Sequence, residues 1–319
     1  MSNRPISVLV VTSIYPTKED PGLGAFVSSQ IESLRKAGLK IDILFLDARR
    51  SKWELLKGIS RIRRLAASGD YDLIHAHFGY NGIPACFAPR LPLVISFCGT
   101  DLTHYCLRPI SRWIARRADA AIVKSEGLNR LLGRPASIIP NGVELARFRP
   151  TPREEARRIL GLRGDLRYVL FVGNPRRPEK RYDLAERVVA RAQRSGTPFE
   201  LLVLDKQPHT EVPNYLNAAD VLLITSSYEG SPNIVKESMA CNLPIVSTDV
   251  GDIRKILTNT RDCLVDDAAP ESLAKGLLSV TRNGTRSNGR SHITHLSSDT
   301  VASQVIGVYR RVLEARGRA

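Results

Sequence analysis

The sequence predicts an α/β protein of two domains, each with a parallel β-sheet covered by helices. Three observations indicate this class. Apolar runs of strand length alternate with helical stretches, turn and proline residues interrupt this alternation near residue 150, and it then restarts. With 319 residues, of which 43% are hydrophobic, the chain is long enough for a core in each domain.

The first domain is predicted over residues 1–149. Its strands are expected at residues 6–12, 41–46, 73–77, 91–97, 120–123 and 137–140, with helices at residues 26–37 and in a basic stretch from residue 49. Strands that are apolar throughout are typical of the parallel sheets of Rossmann-like domains. Asn141-Gly142 and the prolines Pro150 and Pro152 mark the predicted linker.

The second domain is predicted over residues 150–299. Its strands are expected at residues 168–172, 199–204, 221–224 and 244–247, with helices at residues 184–195 and after residue 231, and a last helix at about residues 300–319. Residues 282–298 are rich in Ser, Asn and Gly and predict a mobile loop. Two such domains place a ligand at the carboxyl ends of their strands, in a cleft between them.

Two glutamates flank a predicted turn in the second domain. An apolar run leads to Glu229, and a Gly-Ser-Pro-Asn turn then opens a helix that contains Glu237. Ser231 suits the N-cap and Pro232 the first helical position. The amides of the next two residues should then lie at a helix N-terminus, where an anion can bind. The alternative is a chance spacing of two surface glutamates.

This run resembles the donor-binding motif of the retaining glycosyltransferases of family 4, which have the GT-B fold. The resemblance covers residues 6 to about 265 and implies a two-domain enzyme whose last helix crosses back to the first domain. It implies that Glu237 holds the ribose of a nucleotide sugar and that Glu229 contacts the transferred sugar. Gly230, Ser231, Asn233 and Ile234 then belong to the donor site, although the family more often has a Gly-Phe-Gly-Leu-like turn here.

Two further segments resemble the family's diphosphate-binding parts. In residues 173–180, Lys180 matches the lysine that neutralises the leaving group, and either Arg176 or Arg177 supplies the second cation. The loop with Gly22 and Gly24 resembles the glycine-rich loop beside the donor diphosphate. It lacks the third glycine and the acidic residue of a nicotinamide-cofactor site. Solvated charges and a plain flexible loop are the alternatives.

Residues 96–102 resemble the family's His-Gly-x-Asp stretch. Cys98 occupies the histidine position, and a thiol is a poor hydrogen-bond donor. Gly99 and Asp101 are expected to contact the sugar or the acceptor, and Asp101 is also a candidate for acceptor activation. An aspartate that caps the next helix is an equal alternative.

His75 and His77 share one face of a predicted strand. A metal pair needs a third ligand, and none has suitable spacing. His77, at the strand end, is expected on the acceptor side. A satisfied core histidine remains the alternative for each.

The net charge is +15, and residues 1–150 hold 22 Lys/Arg against 12 Asp/Glu. Two basic stretches, residues 49–65 and 108–117, alternate charges with apolar residues, including Trp53 and Trp113. They predict contact with an anionic membrane surface. The alternative is that their apolar faces pack on the sheet. Nucleic acid is not expected as a partner, because no recognition motif accompanies the charge.

The five cysteines are scattered, which argues against a disulfide framework and a zinc site. The N-terminus lacks the pattern of a signal peptide, and no apolar stretch approaches the length of a membrane span. We therefore expect a cytoplasmic protein, peripheral at most on the inner face of the cell membrane.

The sequence thus predicts transfer of a hexose from a nucleotide diphosphate sugar to a hydroxyl of a lipid-linked glycan or polysaccharide precursor. Retention of anomeric configuration is what the resemblance implies. Glu229, Lys180 and Asp101 are the candidate catalytic residues, and no metal or other cofactor is expected. The alternatives are a nucleotide-sugar 2-epimerase and a non-catalytic protein that binds nucleotide sugars.

Overall fold

The computed structural model describes residues 4–47, 51, 53–87 and 91–317. The chain divides into two compact units. Unit 1 runs to Thr17 and continues with Leu23–Gly142 and the C-terminal stretch from Ser298, and unit 2 comprises Lys18–Gly22 and Val143–Ser297. The predicted class, α/β with two Rossmann-like parallel-sheet domains, is confirmed. The chain passes from unit 1 into the main part of unit 2 after Gly142, which is before the predicted domain boundary at residue 149.

Within the described residues, unit 1 is built on a six-stranded parallel sheet of order β2-β1-β3-β4-β5-β6. Its strands are β1 (Ser7–Thr12), β2 (Lys40–Phe45), β3 (Leu73–His77), β4 (Leu93–Phe97), β5 (Ala120–Val123) and β6 (Ser137–Ile138). Its first helices are α1 (Ala25–Lys36), α2 (Trp53–Ala67), α3 (Gly79–Ala85), α4 (Thr100–Thr103), α5 (Arg108–Arg117) and α6 (Glu126–Leu132). Leu9 and Ile74 belong to the core on one sheet face, and Val8 and Leu73 to the core on the other, as the two-residue side-chain period requires.

Unit 2, which is described throughout, has a five-stranded parallel sheet of order β11-β10-β9-β7-β8. Its strands are β7 (Arg167–Val172), β8 (Phe199–Leu204), β9 (Val221–Ile224), β10 (Ile245–Thr248) and β11 (Cys263–Asp266). Its helices are α7 (Arg153–Ile159), α8 (Tyr182–Gln193), α9 (Val212–Ala218), α10 (Asn233–Ala240), α11 (Ile253–Ile256), α12 (Pro270–Thr281) and α13 (Gly289–Ile293), with 3-10 turns at Pro178–Lys180 and Thr294–Leu296. Cores on both faces again cover an apolar sheet.

The last helix, α14 (Ser298–Ala315), packs in unit 1. Its buried side chains, among them Val305 and Tyr309, join the core on the face that also carries Val8 and α1. Apolar residues recur at helical spacing along α14, which gives it one buried face.

The prediction of a mobile loop at residues 282–298 is wrong in part. The segment contains α13 and a 3-10 turn, and Ile293 and Leu296 are buried in the unit 2 core. The buried side chains of Ile293 and Leu296 anchor this short helical stretch to the core despite its polar composition. Phe148, which lies in the predicted linker, is likewise buried in the unit 2 core.

Candidate active site

The turn after β9 carries the motif that the sequence analysis selected. The helix α10 begins at Asn233, with Pro232 at its N-cap position and no side-chain capping hydrogen bond. The assignment of Ser231 as N-cap is therefore wrong, because the helix starts one residue later than predicted. The amides of Asn233 and Ile234 still lie in the first helical turn, where the helix itself provides no acceptors for them.

Lys180 and Glu229 form an ion pair at the carboxyl edge of the unit 2 sheet. Lys180 Nζ lies 2.6 Å from Glu229 Oε1, and the Ser226 hydroxyl donates to the same oxygen at 2.8 Å. Lys180 follows β7 and Glu229 follows β9, and the order of strands reverses between these two neighbours. Open α/β sheets bind ligands at such a switch point, beyond the carboxyl ends of the strands. The structure thus brings together two residues that the sequence analysis selected from separate segments.

The backbone around Lys180 fixes this pair. The Thr225 hydroxyl lies within hydrogen-bonding distance of the carbonyls of Lys180, at 2.8 Å, and Arg181, at 3.0 Å. Gly173 has φ +125, and a Cβ there would lie 3.2 Å from Lys180 Cε. A glycine at this position therefore leaves room for the lysine stem to cross the end of β7.

A second loop supports the turn that holds Glu229. Gly251 adopts φ +61, and a Cβ at this position would lie only 2.4 Å from the Gly230 carbonyl oxygen. Only glycine allows this close approach. Burial raises the pKa of the neighbouring Asp252. The loop after β10 thus packs directly on the Gly230-Ser231 turn.

His209, which the sequence analysis did not select, contacts Glu237. Its Nε2 lies 2.8 Å from Glu237 Oε1, and its Nδ1 lies 3.3 Å from Arg147 Nη1. A guanidinium only donates, so Nδ1 accepts and Nε2 carries the hydrogen that is donated to Glu237. Phe148 packs on the imidazole with ring centroids 5.1 Å apart. A lone histidine in a polar loop has no periodic signal that could have revealed this role.

The two arginines expected near the diphosphate differ in their surroundings. The Arg177 guanidinium donates to Glu179 at 2.8 Å, and the backbone amide of Glu179 together with this guanidinium lowers the pKa of that carboxyl. Arg176 is exposed, and within unit 2 its side chain forms no ion pair. Its amide donates to Asn174 Oδ1 at 2.8 Å, which holds the turn. Of the two arginines, Arg176 is therefore the one whose guanidinium is not paired with a carboxylate within unit 2.

Asp101 is buried at the carboxyl edge of the unit 1 sheet. Its carboxylate accepts hydrogen bonds from the amides of Gly99 at 2.9 Å, Gly79 at 3.0 Å and Cys98 at 3.3 Å. Burial raises the pKa of Asp101, and these amides oppose the rise. With 1% of the residue exposed, Asp101 joins the start of α3 to the loop before α4. It lies inside α4, whose N-cap position is Gly99 with no side-chain capping hydrogen bond, so the alternative of an aspartate that caps the next helix is wrong. The part of Asp101 in acceptor activation stays a prediction.

Cys98 and Gly99 form the loop that follows β4. The half-buried Cys98 thiol donates to the Ser96 carbonyl at 3.6 Å, and burial raises the pKa of the thiol to about 12. The thiol is therefore protonated at neutral pH. Gly99 has φ +144, and open space lies where a Cβ would project. A ligand can approach the backbone closely at this glycine.

His75 and His77 are both buried, and their rings lie 4.4 Å apart. His75 is a satisfied core histidine, since it hydrogen-bonds Tyr309 Oη at 2.6 Å and Ser96 Oγ at 2.8 Å. His77 Nδ1 has no hydrogen-bond partner among the described residues. Burial lowers the pKa of His75 to about 3 and that of His77 well below its ordinary value, so both rings are neutral. The acceptor role of His77 stays a prediction.

Lys124 is a buried cation that the sequence analysis missed. In the parallel pairing of β4 and β5, Phe97 lies opposite Val123. Lys124 is the next residue after Val123 and Cys98 the next after Phe97, so the two lie side by side. Lys124 is 1% exposed, and its Nζ has no hydrogen-bond partner among the described residues. Burial lowers its pKa, and Cys98 and Asp101 oppose this shift. A buried amino group without a hydrogen-bond partner costs free energy of folding.

Gly24 starts α1 in the left-handed conformation, with φ +63. A Cβ there would lie 2.7 Å from the carbonyl group of Ile14. This close packing within unit 1 explains the glycine in structural terms. The expected place of Gly24 beside a diphosphate stays a prediction.

The basic stretches in unit 1 form α2 and α5. Trp53 is 70% exposed and Leu56 55% exposed, while Ile62 on the same helix is buried. In α5, Trp113 is 41% exposed and carries the Arg117 guanidinium 4.4 Å from its ring centroid. The apolar faces therefore pack on the sheet only in part. The predicted members Arg49, Arg50 and Lys52 lie outside the described residues.

Among residues 4–47, 51, 53–87 and 91–317, no group of three His, Cys, Asp or Glu side chains is arranged to hold a metal ion. In the same part of the chain, no helix is both long enough and apolar enough to cross a membrane. The five cysteines are free thiols.

Comparison with protein families gives one match in each half of the chain. The model described as Glycosyltransferase Family 4 matches residues 1–147, and the model described as Glycosyl transferases group 1 matches residues 165–283. The two matches together contain the candidate site residues of both units, whereas Phe148 and Tyr309, which contact His209 and His75, lie outside them.

Three individual proteins illustrate the similarity. TuaC of Bacillus subtilis, a glycosyltransferase assigned to teichuronic acid biosynthesis, is 26% identical over 85% of this chain and 88% of its own. Sucrose-phosphate synthase from Thermosynechococcus elongatus superposes with a TM-score of 0.80 at 19% identity, covering 97% of this chain and 100% of that one. Anabaena HepE, solved in complex with UDP-glucose, gives a TM-score of 0.62 at 15% identity, covering 98% and 100%. These two structures have the same fold as this chain.

Proposed function

The chain belongs to glycosyltransferase family 4 and is a glycosyltransferase, and from this premise we propose that it uses a nucleotide diphosphate sugar as donor. We further propose that it transfers a hexose to a hydroxyl with retention of anomeric configuration. The relative TuaC belongs to polysaccharide assembly, and HepE was solved with UDP-glucose. Both facts favour a donor and an acceptor of these classes.

The contact between Lys180 and Glu229 carries this proposal. It joins a cation and a hydrogen-bond acceptor at the switch point of the unit 2 sheet. A diphosphate needs the cation, and a sugar hydroxyl needs the acceptor. The first-turn amides of α10 lie in the same turn region and add a positive dipole end for the phosphate oxygens.

The proposed chemistry depends on the leaving group. Negative charge grows on the diphosphate as the glycosidic bond breaks, so the fixed cations Lys180 and Arg176 stabilise the transition state more than the ground state. The departing phosphate oxygen then takes the proton of the attacking hydroxyl on the same face of the sugar. In this route Glu229 positions the sugar and forms no covalent bond to it.

Glu237 is proposed to hold the ribose hydroxyls of the donor. His209 donates to one of its oxygens, which leaves the other oxygen to accept from a ligand. Since His209 is itself fixed by Arg147 and Phe148, the carboxylate is oriented before the donor binds.

The acceptor is proposed to be a lipid-linked glycan or a polysaccharide precursor, bound through unit 1. The exposed Trp53 and Leu56 on a basic helix favour contact with an anionic membrane surface, and so a peripheral position at the inner face of the cell membrane. Co-sedimentation with anionic and neutral vesicles tests this. We expect stronger binding to anionic vesicles that Trp53→Ser weakens, whereas equal binding to both contradicts it.

Metal-independent transfer is part of the same proposal. Two side-chain cations and a helix N-terminus can offset the charge of a diphosphate without a divalent ion. We expect activity to survive EDTA, and its loss with recovery on adding Mg²⁺ or Mn²⁺ contradicts the proposal.

The overall function is tested by incubation with labelled UDP-, GDP- and ADP-sugars and a membrane extract. We expect a labelled glycolipid or glycan from one donor class, with the anomeric configuration of the donor. An inverted product refutes retention. An epimerised donor, or binding without turnover, refutes transfer by this chain.

A further inference from the structure

Unit 2 contains an arginine-rich cavity of about 840 Å³ that is separate from the Lys180–Glu229 site. Its charged lining consists of Arg153, Arg157, Arg158, Arg286 and Glu154. This volume falls within the range of pockets that bind small molecules.

The cavity lies at the amino edge of the unit 2 sheet. Its lining residue Gly164 precedes β7, and the Asp220 carboxylate that pairs with two of its arginines directly precedes β9. Lys180 and Glu229 follow the same two strands. Because parallel strands share one direction, the cavity and the donor site occupy opposite edges of the sheet.

Positive charge exceeds negative charge around this cavity. Arg153 and Arg157 share a single carboxylate, that of Asp220, with contacts of 2.8 and 2.6 Å. Arg286 donates only to neutral carbonyls, those of Leu216 and Ala219 among them. Burial, with a smaller contribution from the nearby Arg153, lowers the pKa of Arg286 to about 10. An anion in the cavity would relieve this repulsion.

Part of the cluster has a structural explanation. Arg157 and Arg286 donate to carbonyls at the C-terminal end of α9, where a helix leaves its last carbonyls without partners. That role does not extend to Arg158. This side chain is exposed and has no hydrogen bond or ion pair within unit 2, and Arg153 Nε is buried without a partner.

We propose that this cavity is a second ligand site, which binds the phosphate group of a small phosphate ester such as a sugar phosphate. Guanidinium groups match phosphate oxygens in bidentate geometry, and a largely immobilised arginine such as Arg157, 7% exposed, loses little freedom on binding. The volume exceeds what a lone phosphate fills, so the rest of the ester contacts Thr151, Pro152 and Leu162.

The test is a thermal-shift titration of the full-length protein with glucose 1-phosphate and, in parallel, inorganic phosphate. We expect glucose 1-phosphate to raise the melting temperature of the wild type, and Arg158→Glu to weaken its affinity about tenfold or more, since a charge-assisted contact becomes repulsive. Arg194→Glu, a charge reversal at an exposed arginine that follows α8 and does not line the cavity, is the matched control and should bind as the wild type.

Lys180→Ala separates this site from the donor site. Retained binding in Lys180→Ala together with loss in Arg158→Glu supports the proposal. Wild-type affinity in Arg158→Glu, loss of binding in Lys180→Ala, or no binding to the wild type each overturns it. Because the exposed Arg158 side chain forms no hydrogen bond or ion pair within unit 2, its substitution should leave the melting temperature without ligand unchanged, and Arg153→Gln provides a second variant.

Discussion

Lys180 Nζ donates to Glu229 Oε1 at 2.6 Å, across two neighbouring strand ends of the unit 2 sheet. Both groups are partly buried, and Ser226 and Thr225 hold them from the side of β9. In the free protein each charge is compensated by the other. A bound donor can replace the contact with one between Lys180 and its diphosphate, while Glu229 turns to a sugar hydroxyl.

The first prediction concerns the carboxylate of this pair. Glu229→Gln keeps the size of the side chain but removes its charge, so it should lower kcat by about 10²-fold while changing donor affinity little, because Glu229 acts on the transferred sugar. Steady-state kinetics with a separate measurement of donor Kd checks this. Glu186→Gln, at an exposed position on α8, is the control. A rise in Kd without a fall in kcat would assign Glu229 to plain donor binding.

The second prediction concerns Glu237 and its histidine. Glu237→Ala should mainly weaken donor binding, and His209→Gln should weaken it less, because the histidine only orients the carboxylate. Calorimetric titration with the donor nucleotide gives both affinities. His295→Gln, at an exposed histidine, should have no effect. Wild-type affinity in Glu237→Ala would remove the proposed ribose contact.

The sequence predicted the strands better than the site. Long apolar runs identify buried parallel strands without reference to the rest of the chain, which is why β3, β5 and β8 match their predicted ranges. The helix α3 was missed because its seven residues include Pro84 and two glycines, which locally disfavour a helix. Its first amide, from Gly79, is held instead by Asp101, a distant residue.

The roles of Lys180 and Glu229 could be predicted because each lies in a short segment that resembles a motif of the family. His209, Lys124 and Arg286 could not, since each is a single polar residue whose neighbours lie on other strands, helices or loops. Their roles depend on strand order, which no local spacing encodes. Lys124, for example, meets Cys98 only because β5 pairs with β4.

The third prediction concerns the buried ammonium of Lys124. Lys124→Met removes an unpartnered polar group and keeps a chain of similar length, so the free energy of unfolding should rise by about 1 kcal/mol or more. Chemical denaturation measures this. Lys255→Met, at an exposed lysine, is the control and should stay within about 0.5 kcal/mol of the wild type. A loss of stability in Lys124→Met would show that the ammonium is compensated.

The fourth prediction concerns pH. His75 and His77 have lower pKa values in the folded protein than the ordinary value of about 6.5, so the unfolded chain binds more protons between pH 6.5 and about 3. Their contribution to stability is complete above pH 6.5 and decreases as the pH falls, by up to about 1.4 kcal/mol per pH unit for each histidine.

His77→Leu isolates one of these two groups. Its free energy of unfolding should fall less steeply than that of the wild type from pH 7 to pH 4, which urea denaturation at several pH values measures. Parallel curves for the two proteins would mean that His77 is protonated in the folded state or titrates normally there.

The central claim, that a nucleoside diphosphate binds where Lys180 meets Glu229, is tested most directly by calorimetric titration of wild type and Lys180→Ala with UDP, GDP and ADP. We predict that one of the three binds the wild type and that Lys180→Ala weakens it at least about tenfold, the loss of one charge-assisted contact. Equal affinity in the two proteins, or no binding of any of the three nucleotides to the wild type, would contradict the claim.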